Sequence, residues 1–312
     1  MRSDQHFMSL ALKLAQKGEG KTSPNPMVGA VIVKNGKILA TGFHHKAGFP
    51  HAEIEALKKI KFKAKGATLY CNLEPCCHFG RTPPCVDKII QSGITRVVIA
   101  HEDPNPKVKG RSIKKLKKAG IKVDVGVLKK EALFLNRFFI TWVTKKRPYI
   151  ILKAAVSRDG KIAPDPKFRK KREPFWLTGP KARGQVHELR SRVDAILVGV
   201  NTVIADNPHL TVRGKGRVRQ PFRIVLGRRS RIPKNSKIFG PGGKLFIARP
   251  RTLSPFLRGL AKKGVTSILV EGGAQIFKSF LNPCFYDEII LFPSRKILGA
   301  VGVNFPFILR TS

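Results

Sequence analysis

The sequence predicts an α/β protein of two domains, and three observations carry that prediction. Its 312 residues suffice for two cores of ordinary size. Short β-branched runs alternate with helix-period segments in each half. Between the halves lies Lys145-Lys146-Arg147-Pro148, a charged stretch ended by a residue that interrupts regular structure. The expected domains are residues 1–145 and 146–312.

The first half opens with a helix over Asp4 to Gln16, with Asp4 as candidate N-cap and Phe7, Leu10, Leu12 and Leu14 as its apolar positions. Strands over Met27 to Val33 and Ile38 to Gly42 flank Asn35-Gly36, a dipeptide suited to a tight hairpin because both residues tolerate positive φ. A helix starts at His51, with Ile54, Leu57 and Ile60 at helical spacing. A strand at Ala67 to Cys71, a loop, a helix opened by Cys85, and a strand at Arg96 to Ala100 follow. The series ends with a helix at Ser112 to Ala119, a strand at Lys122 to Val125 and a helix over Lys130 to Val143. The second half places strands at Tyr149 to Ala155, Ala195 to Gly199, Phe222 to Leu226, Lys244 to Ala248 and Ser267 to Val270. Helices at Pro180 to Arg192, Ser254 to Lys263 and Ala274 to Leu281 separate several of them, which is the style of a nucleotide-binding domain.

Chemistry concentrates between residues 51 and 85. His51-Ala52-Glu53 is followed by the loop Glu74-Pro75-Cys76-Cys77-His78-Phe79-Gly80-Arg81-Thr82-Pro83-Pro84-Cys85. One imidazole and two thiolates suit Zn²⁺ with its fourth position left for water, whose pKa the metal draws toward neutrality. Glu53, beside the ligand set but outside it, suits proton transfer from that water to a departing amine. The partner of Cys85 is either Cys76 or Cys77, and Pro75-Cys76 matches the Pro-Cys of zinc deaminases. His78 could close the shell as a structural fourth ligand, although it lies in the loop that would shape the pocket. Taken singly, these residues read as a helix-start histidine, a solvated carboxylate and core cysteines; taken together, they read as a zinc deaminase.

In the second half, Ile268-Leu269-Val270-Glu271-Gly272-Gly273-Ala274 runs a buried strand through two glycines into a helix, where bare backbone can approach a phosphate. Simple turns use glycines too. Five cysteines, three of them clustered, argue against a disulfide framework and for a reducing compartment. No apolar run reaches membrane-spanning length, no signal peptide is evident, and a cytoplasmic protein is expected. The 61 Lys and Arg against 19 Asp and Glu give a formal charge of +42 that is spread along the chain, so nonspecific polyanion binding is also expected.

With these residues assembled, the chain resembles the bifunctional riboflavin-biosynthesis deaminase/reductase family nearly end to end. The likeness runs through Pro24-Asn25-Pro26-Met27-Val28-Gly29, Gly48, the His51 and Cys76 to Cys85 motifs, and Asp103-Pro104-Asn105-Pro106-Lys107-Val108. It continues in Leu152-Lys153-Ala154-Ala155-Val156-Ser157, Asp159-Gly160, Trp176-Leu177-Thr178-Gly179, Asp194 to Gly199, Thr202-Val203, Leu210-Thr211-Val212-Arg213 and Glu271-Gly272-Gly273. The step from Cys76 to Cys85 is that family's own, which selects Cys76. The resemblance implies a cytidine-deaminase-like layered domain followed by a dihydrofolate-reductase-like nucleotide-binding domain. It also implies two reactions: zinc-dependent hydrolytic deamination of 2,5-diamino-6-ribosylamino-4(3H)-pyrimidinone 5′-phosphate, then NADPH reduction of the ribosyl to a ribityl chain. His51, Cys76 and Cys85 would hold zinc, Glu53 would act as acid and base, and Asn25 would bind the base. Ala155, Trp176, Thr202, Asp206 and the run Gly273, Ala274, Gln275, Ile276, Phe277, Lys278, Ser279 match cofactor positions. Arg190, Leu210, Arg213 and Glu271 match substrate positions, the two arginines as phosphate clamps.

The reductase half departs from the family at Pro174, Gly227-Arg228 and Arg158, and the chain ends at Ser312 where the family continues, so a shortened sheet with a bare edge is expected. That edge suggests a homo-oligomer, and Arg228 could reach a phosphate. Two other readings compete: a deaminase whose reductase domain is a degenerate scaffold, and a nucleic-acid-binding or editing deaminase suggested by the charge.

Overall fold

The computed structural model describes residues 3–78, 83–170, 172–213 and 219–306. Residues 79–82 of the cysteine loop lie outside the described residues. The chain divides into two compact units, Met1–Lys146 and Arg147–Ser312. Among the described residues no helix is long and apolar enough to cross a membrane.

The first unit contains α1 (Asp4–Gln16), β1 (Gly29–Lys34), β2 (Lys37–Phe43), α2 (Ala52–Lys59), β3 (Thr68–Cys71), α3 (Cys85–Gln91), β4 (Arg96–Ile99), α4 (Arg111–Lys118), β5 (Lys122–Val125), α5 (Lys129–Leu135) and α6 (Arg137–Lys145). Its five strands take the order β2-β1-β3-β4-β5, with β1 antiparallel to both neighbours and β3, β4 and β5 parallel. Asn35 and Gly36 both have positive φ, 50° and 72°, as a two-residue hairpin turn requires. Strand alternation sends Ala30 and Ile32 into a core with Ala56 and Leu57 of α2, Val86 and Ile89 of α3, and Leu116 of α4. Val31 and Val33 point the other way, onto Phe7, Met8, Ala11 and Leu14 of α1. The result is three layers, helix, sheet and helix. A Cβ on Gly42 would lie 2.2 Å from the Ala52 carbonyl oxygen, so a bare backbone there lets α2 rest directly on β2 and sets the depth of the residues that begin that helix.

Two expectations for this unit need correction. Ser3, not Asp4, caps α1, accepting from His6 N. Asp4 is taken by the Arg96 guanidinium, at 2.7 and 2.9 Å, and by the Tyr70 hydroxyl at 2.7 Å. The single helix expected over Lys130 to Val143 is two helices broken at Asn136, whose side chain clasps Met27: Oδ1 accepts from Met27 N at 2.8 Å and Nδ2 donates to its carbonyl at 2.9 Å. An amide that satisfies a distant backbone outweighs helix continuity.

The second unit comprises β6 (Tyr149–Val156), β7 (Lys161–Pro164), α7 (Pro180–Arg192), β8 (Ala195–Gly199), α8 (Val200–Asp206), β9 (Phe222–Leu226), β10 (Leu245–Ala248), α9 (Leu253–Lys262), β11 (Ser267–Val270), α10 (Ala274–Leu281), β12 (Glu288–Pro293) and β13 (Gly302–Asn304). Six strands pair in parallel in the order β10-β9-β8-β11-β6-β12, and β13 pairs antiparallel with β7. Ala195, Ile196, Leu197 and Val198 of β8 are all buried because both sheet faces are covered, the mark of a parallel sheet. The sequence reading missed β7, α8, β12 and β13. Val200-Asn201-Thr202-Val203-Ile204 is rich in β-branched residues, yet it forms a helix because it starts from the C-terminal end of β8 and buries Val200 and Val203 against the sheet.

Candidate active sites

In the first unit, three elements meet at one point. His51 sits immediately before α2 in extended conformation, Cys76 follows β3 on the loop, and Cys85 opens α3. His51 Nδ1 lies 3.2 Å from Cys85 Sγ and 3.5 Å from Cys76 Sγ, and the three donor atoms all fall within 4.8 Å of one another. Nδ1 is thus the nitrogen that faces the sulfurs. The backbone N–H of Cys85 donates to Cys76 Sγ at 3.3 Å. The Cys85 thiol and His51 hold the Cys76 thiol well below its ordinary range, and the hydrogen bond to Cys76 raises His51. One nitrogen and two sulfurs at this separation fit a tetrahedral zinc with its fourth position open. His78 belongs to no donor cluster among the described residues, and Cys77 Sγ instead contacts the Lys107 carbonyl at 3.8 Å.

Glu53, in the first turn of α2, is 2% exposed, and its Oε2 has no hydrogen-bond partner among the described residues. Burial pushes its carboxyl up to about 7, against the pull of His51. A buried carboxylate poised near neutrality beside three metal donors is suited to both accepting and returning a proton. It lines a cavity of about 310 Å³ together with Asn25, His44, Asp103, Phe139 and Trp142. His44 Nδ1 faces the Pro50 carbonyl at 3.0 Å, which can only accept, so Nδ1 carries the hydrogen and Nε2 accepts from Asn25 Nδ2 at 3.1 Å. Burial lowers the His44 pKa, which keeps this neutral tautomer and leaves the Asn25 carbonyl oxygen as the amide's acceptor.

Glu74 has a part that the sequence reading missed. Its carboxylate accepts from Asp103 N, Gly110 N, Ser112 N and Ile113 N at 3.0–3.4 Å, tying the cavity loop 103–113 to the strand end that delivers Cys76. A buried carboxylate with no ion pair among the described residues needs such donors.

The second unit holds a cavity of about 890 Å³ over the C-terminal ends of its strands, large enough for a dinucleotide. Gly199 precedes α8 and Gly273 precedes α10, so two helix starts face the cavity. The first intrahelical bond of α10 runs from Phe277 N to the Gly273 carbonyl, which leaves the N–H groups of Ala274, Gln275 and Ile276 without intrahelical partners. A Cβ on Gly273 would meet only Thr202 Oγ1, at 3.7 Å, so this backbone is open on the cavity side. Bare backbone and convergent N–H groups fit a dinucleotide pyrophosphate.

Ala155, Trp176, Thr202, Asp206, Arg190, Leu210, Arg213 and Glu271 line this cavity, as do Gly273 to Phe277. Lys278 and Ser279 do not; the Ser279 hydroxyl donates to the Ile276 carbonyl at 2.7 Å. Leu210 is 3% exposed at a φ of 52°, a strained conformation for a branched side chain that the enclosing pocket holds in place. Arg190 is not a free phosphate clamp. Its Nε and one terminal nitrogen grip Glu271 at 2.7 and 2.9 Å, and the other terminal nitrogen donates to the Thr211 carbonyl. Lys153 Nζ reaches the same carboxylate at 3.2 Å. Burial alone would raise Glu271, but Lys153 and Arg190 hold it down to about 2. Lys153 could have been found from sequence, because a lysine inside an otherwise apolar central strand needs a counter-charge.

At the departures from the family pattern, a Cβ on Gly227 would come within 2.5 Å of Val200 at a φ of 144°, so glycine is required there. Arg228 is not among the residues lining the cavity, whereas Arg231 and Lys237 are. Arg158 is exposed.

Three metal donors around a buried carboxylate define the first unit as a zinc-dependent deaminase, and the glycine-cradled cavity over a parallel sheet defines the second as a nucleotide-dependent reductase. Comparison with known families agrees: residues 1–101 match the cytidine and deoxycytidylate deaminase zinc-binding region, and residues 148–307 match the RibD C-terminal domain. The riboflavin biosynthesis protein RibD of Aquifex aeolicus is 46% identical over 95% of this chain and 88% of its own length; that of Escherichia coli is 40% identical over 95% and 89%. A crystal structure from Thermotoga maritima, a diaminohydroxyphosphoribosylaminopyrimidine deaminase/5-amino-6-(5-phosphoribosylamino)uracil reductase, is 41% identical and superposes with a TM-score of 0.88 over 97% of this chain and 90% of its own. The chain belongs to the RibD family, the bifunctional enzymes of riboflavin biosynthesis, and carries both the zinc deaminase and the NADPH-dependent reductase domain.

Proposed function

We propose that His51, Cys76 and Cys85 hold the zinc, that Glu53 moves the protons of deamination, and that Lys153 and Glu271 serve the reduction. The observation that carries the first part is the meeting of three donors beside a buried carboxylate whose Oε2 has no hydrogen-bond partner among the described residues. Zinc supplies Lewis acidity that makes water nucleophilic near neutral pH. Water adds to C2 of the diaminopyrimidinone, Glu53 takes a proton from it and returns one to the exocyclic nitrogen, and the C–N bond breaks with loss of ammonia. The product carries a carbonyl at C2. Asn25, held by His44, orients the ring by hydrogen bonding.

Reduction of the ribosyl to a ribityl chain adds a hydride, which NADPH provides, and a proton. Lys153 lies in the cavity with Glu271 as its counter-ion and is placed to deliver that proton. Ala155, Trp176, Thr202, Asp206 and the start of α10 bind the cofactor, while Leu210, Arg213 and Glu271 face the sugar phosphate. In a coupled assay on the phosphorylated diaminopyrimidinone, NADPH oxidation is expected only after deamination; deaminated ribosyl product that accumulates in the presence of NADPH would show that the second site is a scaffold.

The chain is further proposed to be a cytoplasmic homo-oligomer that binds polyanions nonspecifically. The apolar edge strand β12 supports association through the second unit, checked by sedimentation mass. The exposed lysines of α2 and α4, Lys58, Lys59, Lys114, Lys117 and Lys118, lie on helices of one sheet face and support the binding. Retention of RNA at low salt that disappears above about 0.3 M is expected, because a Debye length of a few ångströms screens such contacts. Retention that survives high salt would contradict a purely electrostatic origin.

A further inference from the structure

We propose that Arg169 is a phosphate-binding residue of the reductase cavity, donating through its Nε–H to a phosphate of the molecule seated there. This rests on the reading of that cavity as the site of NADPH and of a sugar phosphate. Arg169 follows a short turn, Pro166–Phe168, that is fixed at its start by the Asp165 carboxylate accepting from Lys167 N at 2.9 Å. Beyond it, Arg172 is tied to Asn235, donating to Oδ1 at 2.9 Å and to the backbone carbonyl at 3.3 Å. The segment is thus anchored on both sides of Arg169, whose side chain is only 10% exposed and lines the cavity.

Its hydrogen bonding is incomplete in one respect. A terminal nitrogen donates to Asp206 and to the Glu173 carbonyl, while Nε is buried with no acceptor among the described residues. A guanidinium has no lone pair to offer and cannot shed its proton, so a buried N–H of this kind awaits an oxygen acceptor. The charge balance of the cavity shows the sign of that acceptor. Seven Lys and Arg side chains and two carboxylates line it, and both carboxylates are already engaged, Asp206 by Arg169 and Glu271 by Lys153 and Arg190. Arg231 and Lys237 lie in the same lining without a carboxylate partner there. Lys237 belongs to the Arg169 end of the cavity, because its backbone N donates to Oδ1 of Asn207, which follows Asp206, at 2.8 Å. An anion with several acceptor oxygens offers both an acceptor for the Arg169 Nε–H and counter-charge for the unmatched cations of the lining, and a phosphate is such an anion.

The test is calorimetric titration of the full-length protein with NADPH, NADH and ribose 5-phosphate, for the wild type, Arg169→Ala and Arg169→Lys. Arg169→Ala is expected to weaken at least one of the three at least tenfold and to flatten its salt dependence, which a residue that only shaped the loop would not do. Loss confined to NADPH assigns the cofactor 2′-phosphate, loss shared with NADH assigns the pyrophosphate, and loss confined to ribose 5-phosphate assigns the substrate phosphate. Arg169→Lys, which keeps the charge and guards against a folding artefact, is expected to retain the salt dependence and recover only part of the affinity. Changes below twofold for every ligand in both variants overturn the proposal alone. A wild-type protein that binds none of the three overturns the reading of the cavity with it.

Discussion

Glu53→Gln is expected to lower the deamination rate by on the order of 10²–10⁴-fold while leaving one zinc per chain and an unchanged reductase rate. Glutamine matches the shape of the carboxylate but can neither accept the proton of the attacking water nor return it to the leaving amine. The side chain is not a metal donor: the cluster is made by His51, Cys76 and Cys85, and Glu53 lies apart with Oε2 unpartnered. Rate and metal content therefore separate. Deaminated product measured by chromatography, alongside metal analysis of the same preparation, checks this. A variant that turns over at near wild-type rate removes Glu53 from the mechanism, and one that loses its zinc makes it a structural support of the site.

Glu271→Ala should have the second large effect, on stability as well as reduction. The carboxylate is 7% exposed and is gripped by Arg190 and Lys153, which are each 15% exposed. Its removal leaves two largely buried cations without a counter-charge, a change that costs about 3–5 kcal/mol. Pairing it with Lys153→Met should recover part of that loss, because one of the stranded charges goes with it. The pH dependence has a definite sign. The folded-state pKa, about 2, lies below the ordinary value of 4.5, so the stabilisation is complete above about 4.5 and is lost as pH falls toward 2. Denaturant titrations followed by Trp176 emission, in a chain carrying Trp142→Phe, should give a midpoint that is level above pH 5 and falls below it in the wild type, with a flatter acid limb in Glu271→Ala. Equal acid limbs in the two proteins would mean that the ion pairs contribute nothing.

Much of the deaminase site was legible along the chain because its signals are local. His51 and Cys85 begin helices whose apolar spacing shows in the next few residues, and Pro75-Cys76 lies on the loop that follows a strand. Where backbone hydrogen bonds and the alternation of apolar side chains decide an element, as in α1, β5, α7, β8, β9, β11 and α10, the sequence predicts it to within a residue or two. Elements that depend on distant partners were not legible. Asn136 breaks a helix to hold Met27, and Glu74 spends its carboxylate on four N–H groups of residues 103–113. Val200 to Asp206 forms a helix despite its β-branched content.

The amino-acid order by itself determined the alternation of strands and helices, the types of metal donor available and the carboxylate beside them, because each follows from residue chemistry and short-range spacing. Tertiary structure decided which groups are shared and which are left unpaired. It brought Cys76 rather than Cys77 to His51, turned Arg190 from an expected phosphate clamp into the partner of Glu271, drew Lys153 onto the same carboxylate, and buried Arg169 with one donor unspent. The physical reason is that burial and electrostatic pairing are set by atoms brought within a few ångströms by folding from positions as far apart as 81 and 118 residues, Arg190 with Glu271 and Lys153 with Glu271.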